Sequence, residues 1–440
     1  MREMNLTEGP VFGRLIWFSL PMIAGNLLQQ VYNLVDTLVV GRFIGPDALA
    51  AVGSSYTLMT FITSVIIGLC MGSGAFFSAD YGAGNRKRLK EDVWHSFWFI
   101  FLVTAAIYAV VYPGTEWILA VLQTPDRIFD MTREYVTVIF AGLIFVFLYN
   151  FFAFLLRGMG NSVVPLIFLG ISSVINIVLD LWFVAGLSMG VSGAAWATVI
   201  AQAVSGLGIG IYSFVKVSEL RFSPEDMKFS AARLKETAVN DFATGIQQSV
   251  MNFGILMIQG LVNSFGTTVM AAFAAAVKID TVAYMPSQEF GNAYSLFVSQ
   301  NYGAGKPDRI REGTRIALIT SAVFSVAVSA VIFLSADSLM SIFVDGSEHE
   351  IISEGVRYLR IEGSMYIGIG VLFLWYGYYR GTGRPHISLI LTVISLGTRV
   401  VLSYALAPGT SLGVTAIWAS IPVGWVLADI AGAWIYRRKR

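Results

Sequence analysis

Charged residues are scarce in this sequence. Asp, Glu, Lys and Arg together make up 13% of its 440 residues, whereas roughly 25% is usual in soluble domains. Hydrophobic residues make up 56%, and the mean hydropathy is +0.69. The scarcity of charge excludes an ordinary soluble domain and indicates a protein with several membrane-spanning segments. The net charge of +1 indicates neither nucleic acid nor an acidic molecule as a partner.

Cysteine and histidine are also nearly absent. The single cysteine, Cys70, lies in an apolar segment, which excludes a disulfide framework and a thiolate metal cluster. The histidines His95, His349 and His386 stand apart without metal-ligand spacing. The sequence also contains no nucleotide-binding domain that would drive a pump with ATP. We therefore predict that the protein is not an enzyme and needs no cofactor.

The hydrophobic residues are grouped into twelve stretches. Each is long enough to form a helix that crosses a bilayer, which takes about 20 residues. The stretches cover residues 13–40, 47–79, 92–113, 134–157, 162–185, 190–215, 234–262, 267–301, 314–336, 355–380, 386–407 and 411–436. The polar N-terminus lacks the short core and cleavage site of a signal peptide, so the first helix is predicted to be retained. The sequence thus predicts an all-α integral membrane protein with twelve transmembrane helices.

The basic residues indicate how these helices are oriented. If the N-terminus is cytoplasmic, most of the 29 Lys and Arg residues fall in cytoplasmic segments, including residues 86–90 and 437–440. Cytoplasmic loops of membrane proteins carry such an excess. We therefore predict a multi-pass protein of the cell membrane (the inner or cytoplasmic membrane) with both termini in the cytoplasm.

The two halves of the sequence resemble each other. Three motifs recur in the same order at nearly the same offset: DYGAGNRKRLKED from Asp80 as NYGAGKPDRIREG from Asn301, RGMG from Arg157 as RGTG from Arg380, and QQVYNLV from Gln29 as QSVMNFG from Gln248. We predict an N-terminal six-helix lobe at 1–215, a cytoplasmic linker at 216–233 and a C-terminal six-helix lobe at 234–440. Six helices per half make the repeats parallel, an arrangement of secondary transporters. The glycines of YGAG and RGxG lack a Walker lysine and predict turns.

The order of the motifs also carries a family resemblance. LPMIAGNLLQQVYNLVDTLVVGRFIG, ALAAVG, YGAGN, RGMGNSVVP, NIVLD and GVSGAAWATVI together resemble the MATE (multidrug and toxic compound extrusion) family over essentially the whole chain. The resemblance implies two six-helix lobes in a V, and efflux of organic, often cationic compounds driven by inward flow of Na⁺ or H⁺. One departure is NDFATG, residues 240–245, where Asp241 replaces the glycine and Ala243 the proline of the family's Gly-Leu-Pro. We expect Asp241 to be hydrated near the cytoplasmic end of its helix.

Four polar side chains of the first half lie at similar predicted depth. Asp36 lies in the first segment, Asn176 and Asp180 share one face of the fifth because they are spaced i and i+4, and Thr198 lies in the sixth. Two carboxylates, an amide oxygen and a hydroxyl suit a small hard cation. Two close carboxylates cannot both ionise easily without one, so the cluster also suits a proton. These four residues match the family's N-lobe cation site, and we predict that they bind the coupling Na⁺ or H⁺.

The repeat supplies an internal comparison for this cluster. Asp36, Asn176 and Asp180 correspond to Ile255, Arg399 and Ser403, so the second half keeps the helices and lacks the oxygens. A structural need common to both halves would predict similar residues. The alternative is a hydrogen-bonded network that only holds the first, fifth and sixth helices together.

Other polar residues inside the apolar stretches are candidates for a substrate cavity between the lobes. They are Glu289, Asp280 and Gln248, of which Glu289 is the candidate partner of a cationic substrate. Structural pairing explains Glu289 equally well. Lys278 is spaced i and i+2 from Asp280, so the two do not face each other on a helix. Arg399 is expected to pair with an acid or a carbonyl group.

These features predict a secondary active multidrug efflux transporter. It would act as a monomer in the lipid bilayer and exchange amphipathic, mostly cationic organic molecules for Na⁺ or H⁺ by alternating access between the lobes. The alternative is a flippase for a lipid-linked substrate of the same broad superfamily. A flippase of this kind would require a strongly cationic cavity, and only Lys278 and Arg399 lie deep inside the stretches, away from their ends. A passive channel would be distinguished by counterflow assays.

Overall fold

The computed structural model describes residues 4–438, apart from the side chains of Ile255 and Leu256. Arg2, Lys439 and Arg440, which contribute to the predicted charge asymmetry, therefore lie outside the described residues. Between residues 4 and 438 the chain forms fifteen α-helices, one π-helical turn and one short 3₁₀ turn, and no strand. The predicted all-α architecture is confirmed.

The helices follow the predicted stretches closely. In chain order they are α1 (Val11–Phe43), α2 (Pro46–Gly82), α3 (Arg86–Val111), α4 (Thr115–Val121), α5 (Asp126–Ala141), α6 (Leu143–Gly158), α7 (Val163–Asp180), α8 (Gly190–Lys216), α9 (Ala231–Asn263), α10 (Thr267–Gly303), α11 (Pro307–Met340), α12 (His349–Gly363), α13 (Tyr366–Gly381), α14 (Pro385–Leu406) and α15 (Val414–Arg438). The π-helical turn, Leu181–Gly186, continues α7. Each predicted stretch coincides with one helix or with two successive helices.

The lengths and compositions of these helices suit a membrane. Among the described helices, nine are long and apolar enough to cross a bilayer, namely α1, α2, α3, α7 with its π-helical turn, α8, α10, α11, α14 and α15. The pair α5 and α6 forms a tenth candidate that is bent by 45°. The two remaining predicted stretches, 234–262 and 355–380, are helical as α9 and as the pair α12 and α13. For these two, crossing of the membrane stays a prediction.

Both halves interrupt the same helix of the repeat. In the first half the break lies at Gly142, between α5 and α6. A Cβ atom on Gly142 would lie 2.8 Å from Cγ2 of Val199, so the glycine lets α8 approach the break. In the second half the break lies between Gly363 and Tyr366, at the corresponding place in the motif order. The similarity of the halves therefore extends to an irregular feature that the apolar stretches do not predict.

The RGxG motif marks a close approach of two helices in each half. A Cβ atom on Gly158, the last residue of α6, would lie 3.0 Å from the carbonyl oxygen of Gly74 in α2. A Cβ atom on Gly381, the last residue of α13, would lie 2.7 Å from the carbonyl oxygen of Ser295 in α10. Small residues allow such approaches between membrane helices. The first glycine of the motif is thus a packing position.

The final glycine of each motif forms a turn. Their φ angles are all positive, in a region that disfavours residues with a Cβ atom: Gly84 has φ +68°, Gly160 +88°, Gly305 +65° and Gly383 +71°. The predicted turn function of these glycines is confirmed.

Packing divides the chain into two compact units. Among the described residues, the first comprises residues 4–5 and Leu20–Gln248, and the second comprises Leu6–Ser19 and residues 249–438. The first turns of α1 therefore pack in the second unit, and the first half of α9 packs in the first unit. The predicted lobe limits at 215 and 234 describe the sequence repeat and stay a prediction.

In the first unit, the basic residues after YGAG hold the linker and the start of α9. Arg88 pairs with Glu236 at 3.2 Å, and Lys90 pairs with Asp226 at 3.3 Å. The backbone N–H of Ser223 donates to the same Asp226 carboxylate at 2.8 Å. This hydrogen bond favours the ionised form and lowers the pKa of Asp226. The loop end of α3 thus fixes the segment that leads into α9.

In the second unit, the residue equivalent to Arg88 holds the segment before α1. Arg309 occupies the place of Arg88 in the repeat and donates to the carbonyl oxygens of Leu6, Glu8 and Gly9 at distances from 2.8 to 3.2 Å. Each copy of the motif therefore holds the chain segment that leads into the first helix of a half. The copy in the first unit holds the segment before α9, and the copy in the second unit holds the segment before α1.

Replacing Arg309 by Ala is expected to release the segment before α1. Hydrogen bonds from a charged group contribute roughly 1.5–3 kcal/mol each, so cleavage after Glu8 by a glutamyl endopeptidase should accelerate on the order of tenfold. Arg311→Ala is the matched control, because Arg311 is exposed and pairs with Asp308 within its own helix at 3.1 Å. Equal cleavage of the two variants would show that Arg309 does not hold the segment.

Candidate cation-coupling site

Asp36 and Asp180 form a buried pair of carboxyl groups in the first unit. Asp36 lies in α1 with 9% exposure, and Asp180 is the last residue of α7 with 0%. The two groups are close enough to share a hydrogen bond when one of them carries a proton. The structure therefore brings together two carboxyl groups that lie far apart in the sequence.

The oxygen atoms of this pair are poorly satisfied. Oδ1 of Asp36 and both carboxyl oxygens of Asp180 are buried and have no hydrogen-bond donor among the described residues. Leaving a carboxylate buried without a donor or counter-charge is very costly. A proton or a cation held between the two groups would remove that cost. The arrangement is therefore suited to reversible binding of a positive charge.

Asn176 and Thr198 contact each other between the two helices that were predicted to carry them. Nδ2 of Asn176 in α7 donates to Oγ1 of Thr198 in α8 at 3.4 Å. Oδ1 of Asn176 stays buried without a partner among the residues described. Because Asn176 is one helical turn before Asp180, α7 links the amide and hydroxyl to the carboxyl pair. The neutral amide oxygen of Asn176 is thus available on the helix that carries Asp180.

The backbone changes its geometry at this site. The π-helical turn begins at Leu181, directly after Asp180. Single π-helical turns inside α-helices are rare and are frequent at functional sites. The turn re-aims the residues that follow Asp180 without ending the membrane segment.

Two tyrosines that the sequence analysis did not identify also belong to this environment. Tyr32 lies one turn before Asp36 in α1 and is close enough to interact with its carboxyl group. Tyr135 in α5 is buried and lies near both Asp36 and Asp180. The i to i+4 spacing was a signal for Tyr32. No pattern within α5 pointed to Tyr135, because its contact is made between helices.

The ligand set suits a small monovalent cation or a proton. Within residues 4–438 there is no group of three or more His, Cys, Asp or Glu side chains that could hold a metal ion. A transition-metal site would need such softer or more numerous charged ligands. Two carboxyl groups with an amide and a hydroxyl oxygen instead provide hard, weakly charged coordination.

The corresponding positions of the second half are used differently. Oγ of Ser403 in α14 lies 2.8 Å from Oγ of Ser420 in α15, so the two hydroxyl groups satisfy each other. Nε of Arg399 is buried and has no partner in the described part of the chain. The side chain of Ile255 lies outside the described residues. The oxygen cluster of the first half is therefore not reproduced at Ser403 and Arg399.

The second unit contains a different buried acid group around Asp280. Asp280 has 4% exposure and lies beside Tyr358 and Tyr366. Glu362, with 3% exposure, is a neighbour that the sequence analysis did not identify. Arg399 is close enough to act electrostatically on both acids, in accord with the acidic partner expected for it. The role of Asp280 in a substrate cavity stays a prediction.

Glu289 and Gln248 lie elsewhere. Glu289 accepts a hydrogen bond from Asn292 at 3.3 Å, and Asn292 in turn accepts one from Arg380 at 2.9 Å. This network agrees with the structural pairing that was the alternative for Glu289. Gln248 lies beside Gly68 of α2 in the first unit. The substrate roles of both residues stay predictions.

The expectation for Asp241 was wrong. The side chain is not hydrated, since its exposure is 0%. Helix α9 begins at Ala231, well before Asp241, and it packs its Asp241 face directly on Gly72 of α2. Distance from the helix end alone therefore did not predict the contact that excludes water.

The fold and the site define a class of protein. Apolar helices repeated in two similar halves, with ionisable residues buried inside them, are the pattern of a secondary membrane transporter. The MatE family model matches residues 21–182 and 243–405, once in each half of the repeat. The chain belongs to this family, whose members are transporters and not enzymes.

Similar proteins of known name or structure cover nearly the whole chain. "Probable multidrug resistance protein YpnP" of Bacillus subtilis is 28% identical over 100% of this chain and 98% of its own length. "Probable multidrug resistance protein NorM" of Thermotoga maritima is 27% identical over 94% and 89%. A solved structure described as an outward-facing conformation of a multidrug resistance MATE family transporter has a TM-score of 0.93 at 24% identity and covers 100% of this chain and 98% of that one. The last similarity shows the fold.

Proposed function

We propose that this transporter exports amphipathic, mostly cationic organic compounds in exchange for Na⁺ or H⁺. The observation that carries the proposal is the buried Asp36–Asp180 pair, three of whose four oxygens are buried without a donor among the described residues. The multidrug resistance names of relatives that match nearly the full chain support organic cargo. The small number of basic residues inside the apolar stretches favours neutral or cationic molecules.

In this proposal, Asp36 and Asp180 bind the coupling cation, and Asn176 and Thr198 complete its shell. The cation would bridge α1, α7 and α8, and its release would leave unpaired carboxylates that favour a different packing of α1. A ligand shifts such an equilibrium only through its different affinities for the two states. Cation binding from one side and release to the other would thus drive alternating access between two six-helix lobes.

The proposed topology places both termini and the linker in the cytoplasm. In this proposal the protein acts as a monomer in the cell membrane. The support is the concentration of Lys and Arg on one side of the predicted segments. With this orientation, the outer half of the first lobe carries the Asp36–Asp180 pair. The coupling cation then enters from the outside, where organisms maintain the higher Na⁺ or H⁺ concentration.

Efflux from vesicles tests the exchange and the identity of the ion. Purified protein in proteoliposomes loaded with a fluorescent organic cation should export the dye faster when a Na⁺ gradient or a pH gradient is imposed. Because one cluster is proposed to bind the coupling ion, raising the other ion on both sides should slow efflux by competition. The two gradients are applied separately, and initial rates are compared with those of protein-free vesicles.

The same assay separates the alternatives. A flippase would move a fluorescent lipid-linked substrate between leaflets and leave the dye inside. A passive channel would release dye at a rate set only by the dye gradient and would give no counterflow. Dye efflux that ignores both ion gradients would contradict the antiport proposal.

A further inference from the structure

A second buried carboxyl group of the first unit lies outside the site described above. It belongs to Asp241, in the contact between α2 and α9, which we call the α2–α9 contact and define by Gly68, Gly72, Asp241 and Gly245. A Cβ atom on Gly68 would lie 2.6 Å from Cα of Gly245, and one on Gly72 would lie 2.8 Å from Cα of Asp241. The two helices therefore touch through their backbones and leave no room for water.

Only one of the two carboxyl oxygens of Asp241 has a hydrogen-bond donor in this contact. Its Oδ2 accepts a hydrogen bond from Oγ of Ser73 at 2.6 Å, whereas its buried Oδ1 has no donor in the described part of the chain. Oδ1 lies directly over Gly72, where a Cβ atom would come within 2.8 Å of it. An ionised carboxylate with one hydroxyl donor and no water is strongly disfavoured. The neutral acid is the form that fits the closed contact.

The titratable groups that face Asp241 are the Cys70 thiol on α2 and the Asp92 carboxyl on α3. Within residues 4–438, no Lys or Arg side chain pairs with Asp241. Nothing cationic therefore compensates the negative charge when the proton leaves. Water must enter the contact instead, which requires α2 and α9 to separate.

A polar route leads from Asp241 to the YGAG end of the first unit. The Asp92 carboxyl lies next to that of Asp80 at the end of α2. Arg88 lies 3.2 Å from Asp80, and Arg233 lies 3.8 Å from Asp92. Arg88 is partly exposed, so this chain of acids and bases reaches solvent. Once water enters the contact, a proton that leaves Asp241 can reach this group of acids and bases, and then solvent, through that water.

We propose that Asp241 is a second proton-carrying residue of the transport cycle, and that its protonation controls the α2–α9 contact. The protonated acid bonds Ser73 and keeps the contact closed. Loss of the proton leaves a carboxylate that draws water between the helices and separates them. The proposal rests on the proposed exchange function only for its place in the cycle, since the contact itself can be measured without transport.

Cys70, the single cysteine of the chain, reports on this contact because it is buried beside Asp241. The full-length protein in detergent is alkylated with N-ethylmaleimide from mildly acidic to mildly alkaline pH, in the wild type and in Asp241→Asn. Asn cannot ionise, so the contact should stay closed at all pH values in the variant. The ratio of the wild-type rate to the Asp241→Asn rate removes the thiol ionisation that both proteins share. An ionised Asp241 disfavours the nearby thiolate and would lower this ratio, so a rise reports opening of the contact. The wild-type rate divided by the Asp241→Asn rate should rise by about tenfold or more as pH increases. The reason is that burying an ionised carboxylate without enough donors costs more free energy than the closed contact gains.

Two further variants keep this test decisive. Ser73→Ala removes the hydrogen bond that closes the contact and should accelerate labelling at acidic pH, and it serves where Asp241→Asn fails to fold. Asp36→Asn should keep the wild-type pH response of Cys70, because it alters the other site. A pH-independent ratio, or Ser73→Ala labelling equal to wild type, overturns the proposal for Asp241. Failure of the exchange function would appear separately, as ion-independent dye efflux with the Cys70 response intact.

Discussion

Replacing Asp36 or Asp180 by Asn is expected to abolish efflux driven by an ion gradient. Each replacement removes one carboxyl group of the buried pair and leaves a neutral side chain of similar size. The pair then loses the charge that makes a proton or Na⁺ more stable between the helices than in water. Coupling free energies between two ligands commonly change affinity by a factor of about 5–150, so gradient-driven rates should fall on the order of a hundredfold.

Both replacements should leave binding of the organic substrate unchanged, because that binding does not require the coupling cation. Binding of the organic dye, measured by fluorescence anisotropy on purified protein, should change little compared with the loss of efflux. Ser403→Ala is the matched control, because Ser403 corresponds to Asp180 in the repeat and is equally buried. It loses one hydroxyl contact with Ser420 and should keep most of the transport rate. Normal gradient-driven efflux by Asp36→Asn would reduce the cluster to a structural network.

Replacing Gly381 by Ala is expected to destabilise the second unit. The new methyl group would lie 2.7 Å from the carbonyl oxygen of Ser295 and 2.8 Å from Cβ of Val298. The nearest of these atoms is backbone, so α13 must move away from α10 to make room. Overpacking of this kind costs about 1–3 kcal/mol. The melting temperature in detergent, followed by intrinsic fluorescence, should therefore drop by several degrees.

Gly397→Ala is the control for this effect. Gly397 lies in α14, and a Cβ atom there would meet no described atom within 4 Å. Alanine in an open helical position is about 0.5–1 kcal/mol more favourable than glycine. The two replacements should consequently shift the melting temperature in opposite directions. A common shift would show that helix propensity, and not the α10–α13 approach, decides the outcome.

The regular features of the fold were predictable from the sequence. Apolar runs located the helices that are long and apolar enough to cross a bilayer, because a lipid-exposed helix must be apolar along its whole length. The repeated motifs revealed the two halves, and the final glycine of each YGAG and RGxG motif was correctly assigned to a turn. The break at Gly142 was not predicted, since the apolar run continues through it. The break lies where α8 approaches Gly142, and the sequence around Gly142 does not indicate that contact.

The candidate site shows the same limit. Asn176 and Asp180 were placed on one face by their spacing within a helix, and Asp36 and Thr198 were grouped with them by predicted depth. The structure adds Tyr135 from α5 through a contact between helices. Glu362 was missed because its importance comes from Asp280, a neighbour in another helix. Asp241 was misjudged for a similar reason. Its burial is produced by Gly72 of α2, far away in the sequence.

The most direct measurement of the central claim is the release of the coupling ion when cargo binds. Purified protein in weakly buffered detergent solution, equilibrated with ²²Na⁺ or with a pH indicator, is mixed with a saturating organic cation. If Asp36 and Asp180 hold the ion that exchanges with cargo, the wild type should release Na⁺ or protons in proportion to bound dye, and Asp36→Asn should bind dye with no such release. Equal release by wild type and Asp36→Asn would contradict the assignment of the coupling site to this pair.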